Sequence, residues 1–208
     1  MGKVLCSLGT GKQRKLLRLA AVTFRRYAKR HGYELDLHDE VLDRERPPAW
    51  SKVALIRRLL ESHELVLWLD ADTVVVRGDR DIADELPGDR FMAMVEHTVG
   101  GSANPNTGVM VIRAGDEARR FFDEVWDRTQ YLDHRWWEQA AVMDLLGYDP
   151  ETGERIRESD WHDRIHWLGK EWNSIRDDPA PQPRIRHWPG FTVTRRFAEM
   201  ALATLRAR

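Results

Sequence analysis

Residues 65–72 read Leu65-Val66-Leu67-Trp68-Leu69-Asp70-Ala71-Asp72, an apolar run that ends in two carboxylates one residue apart. A short run this apolar reads as a buried strand. Side chains alternate along a strand, so Asp70 and Asp72 are expected on one side and Ala71 on the other. In an open α/β sheet, ligands gather outside the carboxyl ends of the strands. Two hard oxygen ligands delivered there suit Mg²⁺ or Mn²⁺ carrying a phosphorylated substrate.

Working outward, Lys3 to Leu8 reads as an opening strand, followed by the flexible turn Gly9-Thr10-Gly11. Leu17, Ala20, Ala21, Phe24, Tyr27 and Ala28 then recur at helical spacing, with Gly32 as a stop. Residues 33–37 alternate as a second strand. Ser51 is the expected N-cap of a helix over residues 51–62, with Val53, Ile56, Leu59 and Leu60 on its inner side. Strand, helix, strand, helix, strand is the order of a parallel sheet covered by helices. Further on, residues 91–95 and 107–113 read as strands separated by a turn-rich stretch, 100–105. Helices are expected over residues 116–129 and from Trp136 to a C-cap at Gly147. Residues 149–160 read as a charged surface loop. Short strands at 165–168 and 184–187 and a closing helix from Arg195 to the C-terminus complete the pattern. No repeat, low-complexity tract or linker divides the 208 residues.

Composition narrows the functional classes. The 33 basic and 34 acidic residues nearly cancel, which argues against a general nucleic-acid binder. Lys12, Arg14, Lys15, Arg18, Arg25, Arg26, Lys29 and Arg30 crowd the first helix without an acid among them. Such a face is ordinarily solvated, although Lys12 and Arg14 stand close enough to the Gly9–Gly11 turn to hold a diphosphate. The single cysteine, Cys6, excludes an intramolecular disulfide and reads as a small buried hydrophobe. With no apolar run that could span a bilayer and no secretory leader, the expectation is a cytoplasmic protein without a membrane anchor. Nine tryptophans are many for this length. Most are expected in the core, with some available to stack on a sugar ring.

Three further groups could carry chemistry. Asn106-Thr107-Gly108 reads as a turn delivering polar groups to the strand that follows, with Gly108 permitting close backbone approach to a ligand. Trp136-Trp137-Glu138-Gln139 opens a helix, where an acid and an amide can aim into a cleft. His187-Trp188-Pro189-Gly190 ends a strand in a tight turn, and a neutral imidazole makes a good third ligand for Mn²⁺ beside two carboxylates.

Taken in order, Trp50-Ser51-Lys52, Leu67-Trp68-Leu69-Asp70-Ala71-Asp72, Asn106-Thr107-Gly108, Trp137-Glu138-Gln139 and His187-Trp188-Pro189-Gly190 resemble the galactosyl/mannosyl transferases of the GT-A fold. That group includes plant xyloglucan xylosyltransferases and is related to the glycogenin-like group, with its D-x-D and late H-x-x-G. The resemblance spans about residues 50–190. It implies a single GT-A α/β domain over residues 1–208, with a mixed central sheet flanked by helices. Residues 1–78 would form the nucleotide-binding half and 79–208 the acceptor side.

The activity it implies is metal-dependent transfer of a sugar from a nucleotide-diphosphate sugar to an acceptor hydroxyl, with retention. A UDP-sugar is favoured as donor over GDP-mannose. Asp70, Asp72 and His187 would hold Mn²⁺ (or Mg²⁺) on the diphosphate. Leu8, Gly9, Thr10 and Gly11 would receive base and ribose. Asn106 and Gly108 would line a sugar pocket, with Lys52, Thr107 and Gly190 beside them. Glu138 and Gln139 would sit beneath the anomeric carbon as the catalytic pair.

Two departures stand out. Many relatives carry a lysine a few residues after H-x-x-G; here Phe191-Thr192-Val193-Thr194 intervenes and Arg195 and Arg196 are the first basic residues. The eukaryotic relatives are commonly anchored in the Golgi membrane, and no anchor is seen here. Two alternatives compete. One is a haloacid-dehalogenase-type phosphatase using Asp70 of Asp70-Ala71-Asp72-Thr73 as nucleophile, with Asp177-Asp178 as the later acidic pair. The other is a non-catalytic nucleotide-sugar-binding domain.

Overall fold

The strand alternation resolves into two cores, one on each side of a central sheet. The computed structural model describes residues 2–207. In chain order the elements are β1 Lys3–Leu8, α1 Arg14–His31, β2 Tyr33–His38, α2 Ser51–Leu60, β3 Leu65–Leu69 and β4 Thr73–Val75. They continue with β5 Met92–Val99, β6 Ser102–Arg113, α3 Asp116–Trp126, α4 Trp137–Leu145, β7 Ile165–Trp167, β8 Ile185–His187 and α5 Val193–Arg206. Six strands form one sheet in the order β2-β1-β3-β6-β5-β7. β1 pairs parallel with β2 and β3, β6 pairs antiparallel with β3 and β5, and β7 runs parallel to β5.

Successive residues of the central strands enter opposite cores. Val4, Cys6, Val66, Trp68, Met110 and Ile112 pack with α2, α3 and α4 on one face. Leu5, Leu67, Leu69, Val109 and Val111 pack with α1 and α5 on the other. Both faces being covered explains why these strands read as continuous apolar runs. Each buried Leu, Ile or Val side chain contributes roughly 1.5–3 kcal/mol on leaving water. Cys6 lies fully inside, where burial pushes its thiol far up from the ordinary value. Trp50, Trp68, Trp172 and Trp188 are core residues as well.

Several sequence expectations are corrected. The sheet is mixed, as the resemblance implies, and the parallel order read from the first half of the chain holds for β2, β1 and β3. Gly100 and Gly101 both take positive φ (62° and 88°), so β5 and β6 meet through a two-residue turn and run antiparallel. Residues 102–105, expected as part of a loop, therefore belong to β6, and Pro105 pairs opposite Glu96. Ser51 is not a helix N-cap: a 3₁₀ turn at Pro48–Trp50 runs directly into α2, and the Ser51 hydroxyl accepts the Leu42 N–H instead (3.0 Å). β4 has no counterpart in the sequence reading; three residues are too few to show a period. It pairs with β8 in a separate antiparallel ribbon, Thr73 opposite His187. The closing helix begins at Val193 under a Thr192 cap, whose side chain accepts the Arg195 N–H. Its expected final residue, Arg208, lies outside the described residues. Among those described, no helix is long and apolar enough to cross a membrane.

One buried carboxylate ties β1 and β2 to the segment that follows β4. Asp81 accepts from Lys3 Nζ (2.7 Å), the Tyr33 hydroxyl (2.6 Å) and the Ala83 N–H (3.0 Å). Burial works against its charge, but these donors outweigh burial and hold its pKa below the usual carboxylate value. A depressed folded pKa stabilises the fold above the unfolded pKa and loses that contribution as pH falls through the folded one. Asp81→Asn is accordingly expected to lower stability by about 2 kcal/mol at neutral pH. Urea midpoints across the acid range check this, the gap between variant and parent closing as pH falls.

Candidate active site

The carboxyl ends of β1 and β3 and the middle of β6 open into a cavity of about 770 Å³. Leu8, Thr10, Lys52, Asp70, Asp72, Asn106, Thr107, Glu138, Gln139, His187 and Gly190 all line it. Gly9, Gly11 and Gly108 are not part of that lining.

Asp70 and Asp72 reach the same place by a different route from the strand alternation expected of them. β3 ends at Leu69, and residues 70–72 form a turn closed by Thr73 N–H to Asp70 O (3.1 Å). The Asp70 N–H donates to Gly108 O (2.8 Å), which fixes the turn against β6. Because Thr73 pairs with His187, the β4–β8 ribbon brings a residue 115 positions later beside Asp72. The Trp188 N–H also donates to Asp72 O (3.1 Å). Asp70, Asp72 and His187 each offer one ligand atom, and these atoms lie within 4.8 Å of one another.

Each of the three groups has its other polar atom tied down. Asp70 Oδ1 accepts from Trp68 Nε1 (2.7 Å) and Lys52 Nζ (3.3 Å), while its Oδ2 stands 3.8 Å from His187 Nε2. Asp72 Oδ2 pairs with Arg196 (2.9 Å), while its Oδ1 stands 3.4 Å from the same Nε2. His187 Nδ1 contacts Asn173 Oδ1 at 2.9 Å. The 3.4 and 3.8 Å separations are longer than the usual N–H···O range of about 2.7–3.2 Å. They suit atoms gathered about a cation, and two carboxylate oxygens with one imidazole nitrogen are an appropriate donor set for Mn²⁺ or Mg²⁺. The residues present therefore fit a divalent metal.

Lys52 sits behind this group, buried, with three acceptors for its three protons: Asp70 Oδ1 (3.3 Å), Thr107 Oγ1 (3.0 Å) and Glu138 Oε1 (3.1 Å). Burial opposes its ammonium, yet Asp70 and Glu138 together raise its pKa. Glu138 moves the other way for an acid: burial pushes its pKa up and Lys52 recovers only part of that. Gln139 Nε2 donates to Asn104 Oδ1 (3.2 Å). Its Oε1 accepts the Thr107 N–H (3.4 Å).

Asn106-Thr107-Gly108 is not a turn; it lies inside β6. Gly108 also serves a different neighbour from the ligand expected: a Cβ there would lie 2.7 Å from His187 Nδ1 and collide with Cε1. Its missing side chain makes room for the imidazole. Lys12 and Arg14 do not line the cleft, and Arg14 Nε donates to Asp39 O (2.8 Å). Of the two late arginines, Arg196 faces the cleft, whereas Arg195 turns to Glu199 on the helix surface (2.8 Å). Sequence reasoning missed Gln13, which lines the cavity, and Asn173, which touches His187. Neither carries a spacing or motif that marks it. Trp136 and Trp137 also line the cavity, Trp137 being 45% exposed.

The phosphatase alternative loses its geometry. Asp70 follows the third strand of the sheet, and Asp178 is engaged by Lys170, His97 and the Thr98 N–H.

Comparison with known proteins adds an independent finding. Residues 11–94 match the galactosyl transferase GMA12/MNN10 family. Over 68 residues the chain is 38% identical to xyloglucan 6-xylosyltransferase 2 of Arabidopsis thaliana. It is 37% identical to xyloglucan 6-xylosyltransferase 1 of the same plant. Each match covers 31% of this chain and 14% of the plant protein, so the chain spans only a small part of those relatives. The matched family region holds Lys52, Asp70 and Asp72 and stops short of Asn106, Glu138 and His187.

Among solved structures, the chain is similar to a glycosyltransferase involved in glycosylation of the major capsid of PBCV-1. The TM-score is 0.74 at 20% identity, covering 97% of this chain and 100% of that one. It is also similar to the apo form of the glycosyltransferase GlyE of Streptococcus pneumoniae TIGR4, with TM-score 0.65, 17% identity and coverage of 99% and 60%. A third likeness is to the galactosyltransferase LgtC in complex with donor and acceptor sugar analogues, with TM-score 0.59, 13% identity and coverage of 96% and 95%. The fold is that of the GT-A glycosyltransferases.

Proposed function

We propose that this chain transfers a sugar from a nucleotide-diphosphate sugar to an acceptor hydroxyl, dependent on Mn²⁺ or Mg²⁺. A UDP-sugar is favoured as donor and GDP-mannose is the alternative. The observation that carries the reading is the convergence of Asp70 Oδ2, Asp72 Oδ1 and His187 Nε2 at one point of the cleft. Each belongs to a side chain whose remaining polar atom is held from behind. A metal bound there would supply Lewis-acid neutralisation of the departing diphosphate.

The chain's own residues divide the remaining tasks. Leu8 and Thr10 sit where base and ribose would enter, beside Gln13. Arg196 offers a guanidinium next to Asp72, with a buried Nε that has no partner, and takes the place of the lysine other family members carry. Asn106 and Thr107 border the sugar position. Glu138 and Gln139 are the proposed catalytic pair. Lys52 holds and orients Glu138 through Oε1, and that ion pair makes Glu138 a weak nucleophile toward the sugar. Retention at the anomeric carbon rests on the family likeness. Residues 1–78 as the nucleotide side, 79–208 as the acceptor side and a cytoplasmic location belong to the same proposal.

The test is calorimetric titration of UDP, GDP and their sugars, first with Mn²⁺ and then with EDTA. Binding of one nucleotide only with metal supports the reading, and no binding in either condition rejects it. Metal-dependent binding without transfer would favour a binding-only domain. Within the same experiment, Arg196→Ala is expected to weaken the nucleoside diphosphate roughly 10- to 100-fold, the worth of one charge-assisted contact. Affinity for the uncharged nucleoside should hardly change. Arg195→Ala, which removes only an exposed pair within one helix, should leave both within about threefold of the parent.

A further inference from the structure

A chain of three buried side chains runs behind the metal-ligand candidates, and its polarity is fixed at one end by the backbone. The Gly108 N–H donates to Asn106 Oδ1 (2.9 Å). A backbone N–H can only donate, so the atom it meets must be the amide oxygen. Asn106 Oδ1 also contacts the Asn173 side chain at 2.8 Å, and that partner must then be the Asn173 nitrogen. The other end of the Asn173 amide, its oxygen, therefore faces His187 Nδ1 at 2.9 Å. An amide oxygen accepts and does not donate. Asn106, Asn173 and His187 are 5%, 0% and 4% exposed, so each of these polar atoms needs its partner within the protein.

We infer that Asn173 is a positioning residue which, anchored by Asn106 and the Gly108 backbone, keeps the neutral His187 ring in its Nδ1–H tautomer and turns the Nε2 lone pair toward Asp70 and Asp72. The inference rests on the metal reading above. It adds what that reading leaves open: why this histidine presents a ligand atom rather than a proton. Gly108 contributes twice, through its N–H and through the absence of a Cβ that would push against the ring. Asn106, expected on the sugar side, spends its amide oxygen on this chain.

The tautomer is read directly from the ¹⁵N resonances of the imidazole in metal-free protein, above the pH where the ring is charged. The His187 signal is assigned by its loss in His187→Gln. The expected result is a protonated Nδ1 and an unprotonated Nε2; a proton on Nε2 in the parent protein overturns the inference, whatever any variant does. The second readout is Mn²⁺ affinity by paramagnetic resonance. Asn173→Leu is expected to lose the Nδ1–H tautomer and to bind Mn²⁺ about 10- to 100-fold more weakly. Asn173→Asp keeps an acceptor for Nδ1–H but loses the donor to Asn106 Oδ1, so it should retain the tautomer even where stability and Mn²⁺ affinity fall.

Asp72→Asn separates the two levels. If it leaves Mn²⁺ affinity unchanged, the metal reading itself fails. If it abolishes binding while folded Asn173→Leu binds as the parent does, only the positioning role fails.

Discussion

Asp72→Asn is expected to reduce sugar transfer by at least about a thousandfold and to abolish metal-dependent nucleotide binding, while the protein stays folded. Asparagine has the same shape, so the turn closed by Thr73 N–H to Asp70 O is undisturbed. Its amide oxygen can still accept from Arg196, which limits the structural cost to about 2 kcal/mol. What disappears is one of two negative ligands, leaving Asp70 and His187 to hold a dication with half the carboxylate charge. Calorimetry with Mn²⁺ and nucleotide, a transfer assay and a urea melt on the same preparation decide the matter. Near-normal transfer in this variant would sink the metal assignment. Loss of transfer together with loss of the fold would return Asp72 to a structural role.

The sequence revealed the site's residues better than the way they are brought together. The two-residue spacing of Asp70 and Asp72 suggested a shared strand face, whereas a turn places them. The two geometries agree on the outcome because both bring residues i and i+2 to one side. The link between Asp72 and His187 runs through β4, three residues paired with three others, which is too short for any period to register. Asn173 was invisible for a related reason. It follows a buried tryptophan in an irregular segment after β7, and its importance comes only from two side-chain contacts, to Asn106 and His187. The helices, with apolar faces repeated over several turns, were legible to within a few residues. The β5–β6 hairpin was misread because Gly, Ser, Asn and Pro across residues 100–105 carry the composition of a loop. Only Gly100 and Gly101 act as one; the others are held extended by pairing across the ladder.

Lys52→Met is expected to be the most destabilising substitution in the cleft, at about 3–5 kcal/mol near neutral pH. The methionine fills the space and the helix propensity hardly changes, so the loss is electrostatic. Lys52 is the one cation bonded to both Asp70 and Glu138, and its removal strands two carboxylates and the Thr107 hydroxyl at once. The pH dependence carries the diagnosis. Lys52 has a raised pKa, so its stabilising contribution is intact below its unfolded value and is lost only as pH climbs through the folded one, on the alkaline side. Glu138 also has a raised pKa, but for an acid this favours the neutral form. Its burial is best tolerated below its unfolded pKa and costs more as pH rises through the folded value.

Without Lys52 that upward shift must grow, so the variant should recover stability as pH falls and Glu138 takes up a proton. Adding Glu138→Gln should recover a large part of the same loss at neutral pH without acid. Urea midpoints for the parent, Lys52→Met and the double variant across pH test all three statements. A loss below about 1 kcal/mol, or one that does not change with pH, would mean that water reaches these carboxylates. In that case Lys52 would not be what holds Asp70 Oδ1 away from the ligand position.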